Sequence, residues 1–488
     1  MSVEVVSPDE YTGPVTGDLN RRRGLMKGVS PIAVKLVVNI RKKVYFCLMK
    51  DISFEDLDLT TSCMSDLCNF FEESSLEVLG KEVKFVQRKS DITSWLFLQL
   101  NTCFIDASKE TSLNDLASGL YTNYGIEITK QGLDQRFNSA SVKLMKKCFE
   151  TVFEKILDSN IATNKFSCHF DKVILRDATS FQLPSHMSTF YLGNGCSTTN
   201  SVIKIQQEYE LLTGKILRLD FRDGVENDVS WLNKFPPKIE ENTLYLSDLG
   251  YYKLDHLKEI NDNSGYFISR YKIRTKLYVK NKLGRYEDLD WEKTISEVLN
   301  GSNEGEFLTD FDKDVYIGTG KDRLCVRLHM QKIPEDAVEK RLKRYKTKAL
   351  SQSKTKKGNK AQVSDFKKEL AKLNIFITNA PKEKLEAGAI YEFYRLRWQI
   401  ELLFKIWKSI FKIDKIGQMN IFRFQCCLYG KLISILIGGH LQTLFKAFMK
   451  DKTDFELSEW KAYKIVKKTQ ENLEMYQKRR YRRFTKIN

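Results

Sequence analysis

The feature that most constrains this chain is the run Tyr394-Arg-Leu-Arg-Trp-Gln-Ile-Glu401, which continues to Lys408 and spaces Tyr394, Arg397, Glu401 and Lys408 as Y-x2-R-x3-E-x6-K. At ~100° per residue, steps of three, four and seven place these side chains, and Lys405 with them, inside roughly 80° of one helix face. Leu396, Ile400, Leu403, Phe404 and Trp407 fill the other faces. A helix apolar nearly all round belongs in a domain core, so a stripe holding one carboxylate among cations marks a site. The plainer reading is an ordinary amphipathic helix with an i,i+4 pair between Glu401 and Lys405. Both readings expect one helix across the signature.

Composition narrows the partners. The 488 residues carry a net charge of +17 and a sequence pI near 9.2. Cations in such excess suit a polyanion, because each Lys or Arg that neutralises a phosphate releases condensed counterion. Nucleic acid leads and a membrane surface comes second. The membrane reading weakens because no stretch reaches about 18 uninterrupted apolar residues. The nearest approach, Leu432 to Phe448, is broken by Gly438, Gly439, His440 and Gln442 and reads as a core helix. The opening Met-Ser-Val-Glu-Val-Val lacks an apolar signal core before Arg21-Arg22-Arg23, so the expected location is the cytoplasm. Ten cysteines without a C-x-x-C pair and five histidines without H-x-x-x-H spacing make zinc chemistry or a disulfide framework a poor expectation.

Along the chain, Ser112-Leu-Asn-Asp115 reads as a helix start, Gly125 as its end, and Thr129 as the cap of a second helix from Lys130 to Phe137. Two short helices around a glycine turn fit helix-turn-helix, with Lys130, Gln131, Gln135 and Arg136 on the helix that would reach DNA. A plain helical hairpin fits equally. After a helix over Cys148 to Leu157 come strands: Lys172 to Arg176 ending in Asp177, a hairpin of Ser201 to Glu210 and Lys215 to Phe221, Thr243 to Ser247 ending in Asp248, and Tyr266 to Ile273. Helices near Trp231 and over Leu254 to Ile260 interrupt them, which predicts a mixed sheet with helices packed on it. Short strands recur between 276 and 374, together with a Lys-rich run, Lys340 to Lys360, read as a basic loop that either faces solvent or contacts DNA. Ile375 to Thr378 returns as a strand, and Lys478-Arg-Arg-Tyr-Arg-Arg-Phe-Thr-Lys486 ends the chain with cations suited to a phosphate backbone.

Asp177 and Asp248, each expected at the carboxyl end of a strand, would emerge toward a cleft of an open sheet, and Glu401 supplies a third acid. Two Mg²⁺ ions about 3.5–4 Å apart, clamping the attacking and leaving oxygens of a phosphoryl displacement, need such hard oxygen ligands.

These residues together resemble the DDE transposases of bacterial insertion sequences, specifically the insertion sequence four family with its Y-R-E-K signature. The resemblance rests on Asp177 in Leu-Arg-Asp-Ala-Thr-Ser-Phe-Gln-Leu-Pro, Asp248 in Ser-Asp-Leu-Gly-Tyr, and Tyr394, Arg397, Glu401 and Lys408, and it covers about 165 to 430. Asp115 to Asn138 also looks like the N-terminal region of that family. The resemblance implies an α/β fold with a ribonuclease H-like catalytic core, a β-rich insertion and a helical N-terminal DNA-binding region. It implies an Asp177, Asp248, Glu401 triad holding two Mg²⁺ ions, with Mn²⁺ as a substitute. The reaction it implies is hydrolysis at the 3′ ends of a transposon and strand transfer into target DNA. Arg397, Lys405 and Lys408 would hold the DNA backbone, Tyr394 would bond a phosphate or stack, and Arg270 is a further candidate contact. The implied partners are double-stranded DNA, as terminal inverted repeats and target, and a second copy of the chain in a synaptic homodimer near the nucleoid. Members of the family often place a tryptophan on the strand before the signature helix to stack on a flipped base. Here that neighbourhood reads Asn374-Ile-Phe376, which leaves Phe376 or Trp291 for the task.

The expected division is a helical DNA-binding region at 1–150 with its helix-turn-helix-like segment at 112–138, a first core part at 160–275, the insertion at 276–374, the second core part at 375–430 and a basic helical region at 431–488. A structure-selective nuclease on the same fold and a DNA-binding protein without catalysis are the alternatives, and intact Asp177, Asp248 and Glu401 weigh against the latter.

Overall fold

The computed structural model describes residues 71–102, 112–158, 169–194, 199–273, 275–300, 311–320, 323–353 and 364–453. Residues 1–72 and 73–488 separate into two units, and all the helices and strands described below belong to the second. The basic clusters at Arg21 to Lys27 and Lys478 to Lys486 lie outside the described residues.

Five helices come first: α1 (Glu73–Glu82), α2 (Ser94–Thr102), α3 (Leu113–Tyr124), α4 (Lys130–Arg136) and α5 (Ser139–Asp158). The predicted caps form. The Ser112 hydroxyl accepts from the Asp115 N–H at 3.1 Å while Asp115 accepts from the Ser112 N–H at 3.0 Å, a reciprocal box that satisfies two orphan donors. Gly125, at φ 69°, ends α3 in the left-handed conformation that a side chain would resist. Thr129 caps α4 by accepting from the Gly132 N–H at 3.1 Å. Leu116, Leu120 and Leu133 are buried, so the two short helices share one apolar seam.

The remaining elements are β1 (Lys172–Leu183), β2 (Ser201–Glu210), β3 (Lys215–Asp223), α6 (Asp228–Lys234), β4 (Thr243–Ser247), α7 (Leu254–Asp262), β5 (Tyr266–Arg270), β6 (Leu277–Lys280), β7 (Tyr286–Asp288), α8 (Trp291–Asn300), β8 (Asp312–Ile317), β9 (Leu324–Lys332), α9 (Glu335–Ser353), α10 (Asp365–Leu370), β10 (Leu373–Thr378), α11 (Ala387–Leu396), α12 (Trp398–Ser409) and α13 (Ile421–Thr453). The strands form one ten-stranded mixed sheet in the order β3-β2-β1-β4-β5-β10-β9-β8-β6-β7. β1, β4 and β5 are parallel neighbours, and the other pairings are antiparallel. The strands between 276 and 374 therefore prolong the same sheet, joined through β10 and β9. One sheet face carries a large apolar cluster that includes Ile174, Tyr245, Leu257, Phe267 and Ile377. On the other face α12 packs against β1 and α11 against β5.

α13 holds the N-terminal helices to this layer. It packs along α5 and α2, and a Cβ at Gly430 would lie 2.1 Å from the Asn101 carbonyl oxygen, so the close approach of α13 to α2 requires glycine there. Leu432, Ile433, Ile435 and Leu436 are buried. Residues 421–440 are long and apolar enough to cross a membrane by length and composition, but 61% of that window is buried in the protein, as for a core helix.

Three expectations change. The Lys-rich run is not a loop over its first half: α9 continues to Ser353, and its half-buried side is bonded to β10, with Arg341 donating to the Leu373 carbonyl at 2.7 Å and to Asn374 Oδ1 at 2.8 Å. β1 does not end at Asp177. Pairing with β4 stops at Arg176–Ser247, but pairing with β2 carries the strand to Leu183. The signature is also two helices rather than one, since α11 and α12 meet at Arg397, whose N–H reaches the Tyr394 carbonyl at 3.1 Å in a tightened turn.

Candidate active site

The register of β1 against β4 places the first two acids. Lys172 pairs with Thr243 and Arg176 with Ser247, so Asp177 and Asp248 each directly follow the last pair of this ladder. Parallel neighbours are about 4.8 Å apart, and residues at the same register point to the same face. That face is the one covered by α12. Asp248 has left the strand and opens a short 3-10 turn, Leu249–Tyr251.

Glu401 sits in the first turn of α12. Arg397 connects it to β1, donating from Nη2 to Glu401 Oε1 at 2.6 Å and from Nη1 to Asp177 Oδ2 at 3.3 Å. Glu401 therefore pairs with Arg397 and not with Lys405. Asp177 Oδ1 also accepts from the Ala178 N–H at 2.8 Å. The Asp177 pKa is nevertheless raised to about 6. Burial is the main cause, the Ala178 bond and Arg397 oppose it, and repulsion from Asp248 and Glu401 adds to it. Asp248 and Glu401 thus both act on Asp177 across the sheet–helix junction, with a guanidinium between Asp177 and Glu401.

The flanking residues take distinct positions. Lys408 donates to the Ser180 carbonyl at 3.0 Å and ties the far end of α12 to β1. Lys405 is exposed on the same helix. Tyr394 is buried, with its ring 5.0 Å from Phe376 and the guanidinium carbons of Arg270 and Arg397 at 5.5 and 5.8 Å from its centroid. Arg270, at the end of β5, is exposed. In the N-terminal helices Lys130, Gln131 and Gln135 are exposed, whereas Arg136 is half-buried and donates to Ser90 at 2.7 Å.

The two aromatics expected to stack on a base differ in exposure, Phe376 being buried and Trp291 half-buried. Phe376 is fully buried between β10 and α11, and Trp291 packs against Tyr271 and Phe366 at ring distances of 5.0 and 5.8 Å. Trp398, by contrast, is 70% exposed immediately after Arg397. A single helix across the signature hides its place just past the helix junction.

Sequence reasoning also missed the group behind Asp177. Arg176 is buried and donates from Nε to Glu208 at 2.6 Å and from Nη1 to His256 Nε2 at 2.5 Å, with its guanidinium 4.5 Å from the Tyr245 ring centroid. Accepting at Nε2 leaves the His256 proton on Nδ1, which faces Glu259 at 3.2 Å. His256 is pushed down to about 3, by burial first and then by the charges of Arg176 and Lys253. This network joins β1, β2 and α7 on the opposite face of the sheet and fixes the strand that carries Asp177.

Comparison with known proteins identifies the family. A family model described as Transposase DDE domain matches residues 169–437, which contain all three acids. The chain is 33% identical over 410 residues to the transposase for insertion sequence element IS1151 of Clostridium perfringens, covering 80% of this chain and 83% of that one. It is 32% identical over 415 residues to the transposase for IS231F of Bacillus thuringiensis, covering 83% and 84%. A solved piggyBac transposase synaptic complex with hairpin DNA is similar at a TM-score of 0.40 and 9% identity, over 81% of this chain and 76% of that one. A stretch of 29 residues, 6% of this chain and 4% of its match, is 86% identical to elongation factor G of Cytophaga hutchinsonii. The matched domain and the extent of the insertion-sequence relatives establish that the chain belongs to the DDE-domain transposases, in the insertion sequence four family.

Proposed function

We propose that Asp177, Asp248 and Glu401 are the metal-binding and catalytic acids, and that the chain moves its insertion sequence by cut-and-paste transposition. The observation that carries this reading is that Asp177 and Asp248 each directly follow the last pair, Arg176 with Ser247, of adjacent parallel strands, with Glu401 linked to Asp177 through Arg397. The donor set suits divalent ions by its chemistry, since three hard carboxylates, one of them raised to about 6 partly by the other two, would gain from a cation drawn among them, although among the described residues they are not gathered into a ready-made metal cluster. Two Mg²⁺ ions, or Mn²⁺ in their place, would supply the charge that clamps the entering and leaving oxygens of an in-line displacement at the 3′ end and again at the target.

The chain's own groups position the DNA. Arg397, whose two arms rest on Asp177 and Glu401, would turn an arm to a backbone phosphate as metal takes up those carboxylates, and Lys405 and Lys408 succeed it along α12. Buried Tyr394 stands behind these contacts and steadies Arg270 and Arg397 over its ring faces. Exposed Trp398 offers its indole to a base or sugar beside the cut. Lys130, Gln131 and Gln135 read the terminal repeats in duplex DNA, and Arg136 anchors their helix. We further read the parallel centre of the sheet with α11 and α12 as a ribonuclease H-like core split into 160–275 and 375–430. Residues 276–374 are its insertion, 1–150 the DNA-binding region and 431–488 a basic helical end, and two copies synapse the ends in the cytoplasm at the nucleoid.

Single-turnover cleavage of an end-labelled duplex carrying the element's terminus tests this reading. Asp177→Ala, Asp248→Ala and Glu401→Ala should each leave less than about a tenth of wild-type cleavage while still binding the end. Cleavage above that level removes the residue from the triad.

A further inference from the structure

The basic helix α9 is linked to the catalytic face by a chain of arginines. Arg270, exposed at the end of β5, lies over the Tyr394 ring at 5.5 Å. Arg341 of α9 is half-buried and bonded to the Ala371 and Leu373 carbonyls and to Asn374. Its pKa is lowered by burial first, and Arg270 and Arg344 are near enough to add repulsion. The phenols of Tyr345 and Tyr391 oppose this. Lys343, Arg344 and Lys346 are exposed on the solvent side of the same helix. Among the described residues the ion pair formed by α9 is Lys340 with Asp336, one turn earlier.

Cations gathered near one another repel, and a polyanion laid along them relieves that repulsion. We propose that Lys343, Arg344 and Lys346 of α9, with Arg270, form a phosphate track that carries duplex DNA away from the catalytic carboxylates on one side of the scissile position. The inference rests on the proposed active site, since that placement makes the track continuous with the cut. A rigid helix anchored by Arg341 to the strand next to β5 holds the track at a fixed distance from Tyr394 and Arg397, so it serves one arm of the duplex and not both.

The test uses the full chain and two duplexes that contain the element's terminus, one extended only on the element side and one only on the flanking side. Replacing Lys343, Arg344 and Lys346 together by alanine, a stronger helix former, should leave the circular dichroism spectrum unchanged. On one of the two duplexes it should flatten the slope of log affinity against log salt by roughly 2–3, at about 0.9 per phosphate contact. On that duplex the DNA concentration for half-maximal cleavage should rise about tenfold or more. Lys343→Arg with Lys346→Arg keeps the charge and should keep the wild-type slope. A wild-type slope for the triple alanine variant on both duplexes, or an equal fall on both, overturns the track. The placement of the active site fails separately, if Glu401→Ala cleaves like wild type whatever the slopes.

Discussion

Arg397 holds Glu401 at 2.6 Å and Asp177 at 3.3 Å, and so spans the two acids that come from the helix and from the sheet. The bond crosses 220 residues of sequence to reach β1, and it forms at the residue where α11 gives way to α12. Arg397→Ala should therefore slow first-strand nicking and every later step. It should also raise the Asp177 pKa further, since the guanidinium is one of the groups that lower it. Binding of Mn²⁺ to the metal-free protein, measured by titration calorimetry between pH 5 and 8, should then show its acid limb moved to higher pH. An unmoved limb separates Arg397 from Asp177 electrostatically.

Asp177 should also cost the protein stability. Its folded pKa of about 6 lies above the ordinary 3.8, so between those values the folded state binds more protons and stability falls as pH rises. Above about 6 the whole penalty is present, on the order of 1–3 kcal/mol without metal. Asp177→Asn should remove most of it and raise the denaturation midpoint at pH 8, while cleavage is lost. A midpoint that drops shows that the carboxylate's bonds to Ala178 and Arg397 outweigh its burial.

His256 works in the opposite sense. Held neutral with a pKa near 3 against an ordinary 6.5, it leaves stability untouched above 6.5 and withdraws it as pH falls from there toward 3, because the unfolded chain takes up the proton first. His256→Asn should flatten the acid side of the stability curve relative to wild type. At neutral pH it should lower stability by roughly 1–3 kcal/mol, since a buried Arg176 donor loses its partner. Urea melts from pH 4 to 8 on both proteins decide this.

The remaining residues of the signature should separate by step. Lys408→Ala removes a bond from α12 to the Ser180 carbonyl and a phosphate contact, but leaves the acids in place. Nicking should persist within about tenfold while joined product falls further, and Tyr394→Phe should show the same pattern. A time course resolving nick, double-strand break and joined product makes the comparison. Nicking lost by Lys408→Ala as fully as by Glu401→Ala would merge the two roles.

Recognition of the ends is better tested by substitution than by deletion, because α2 and α5 pack on α13 and removing them would strip the core. Replacing Lys130, Gln131 and Gln135 by alanine should reduce the preference for terminal repeats over unrelated DNA by about tenfold or more, read by competition gel shift. Retained preference would move recognition elsewhere in the chain.

Where local pattern and tertiary context agree, the sequence is a sound guide. Ser112, Gly125 and Thr129 set helix ends through bonds within a few residues, and the short strand before Asp248 announces itself by its β-branched and aromatic residues. The spacing from Tyr394 to Lys408 shows the polar stripe but not the break at Arg397, which arises from packing against β1 and β5. α9 is hidden because its lysines mask a weak apolar period and the bonds that hold it run to β10. The Arg176, Glu208 and His256 group joins three elements separated by up to 80 residues, with no signal at any single position. Phe376 looks free to stack only while the helix that covers it is unplaced.

The central claim is that Asp177, Asp248 and Glu401 share one metal site. Anomalous diffraction from a crystal of the chain with a bound DNA end and Mn²⁺ measures this most directly. Peaks are expected within about 2.0–2.3 Å of carboxylate oxygens from all three residues, and their loss in Glu401→Ala with the fold unchanged. Peaks that engage other side chains, or a Glu401→Ala crystal with unaltered peaks, would contradict it.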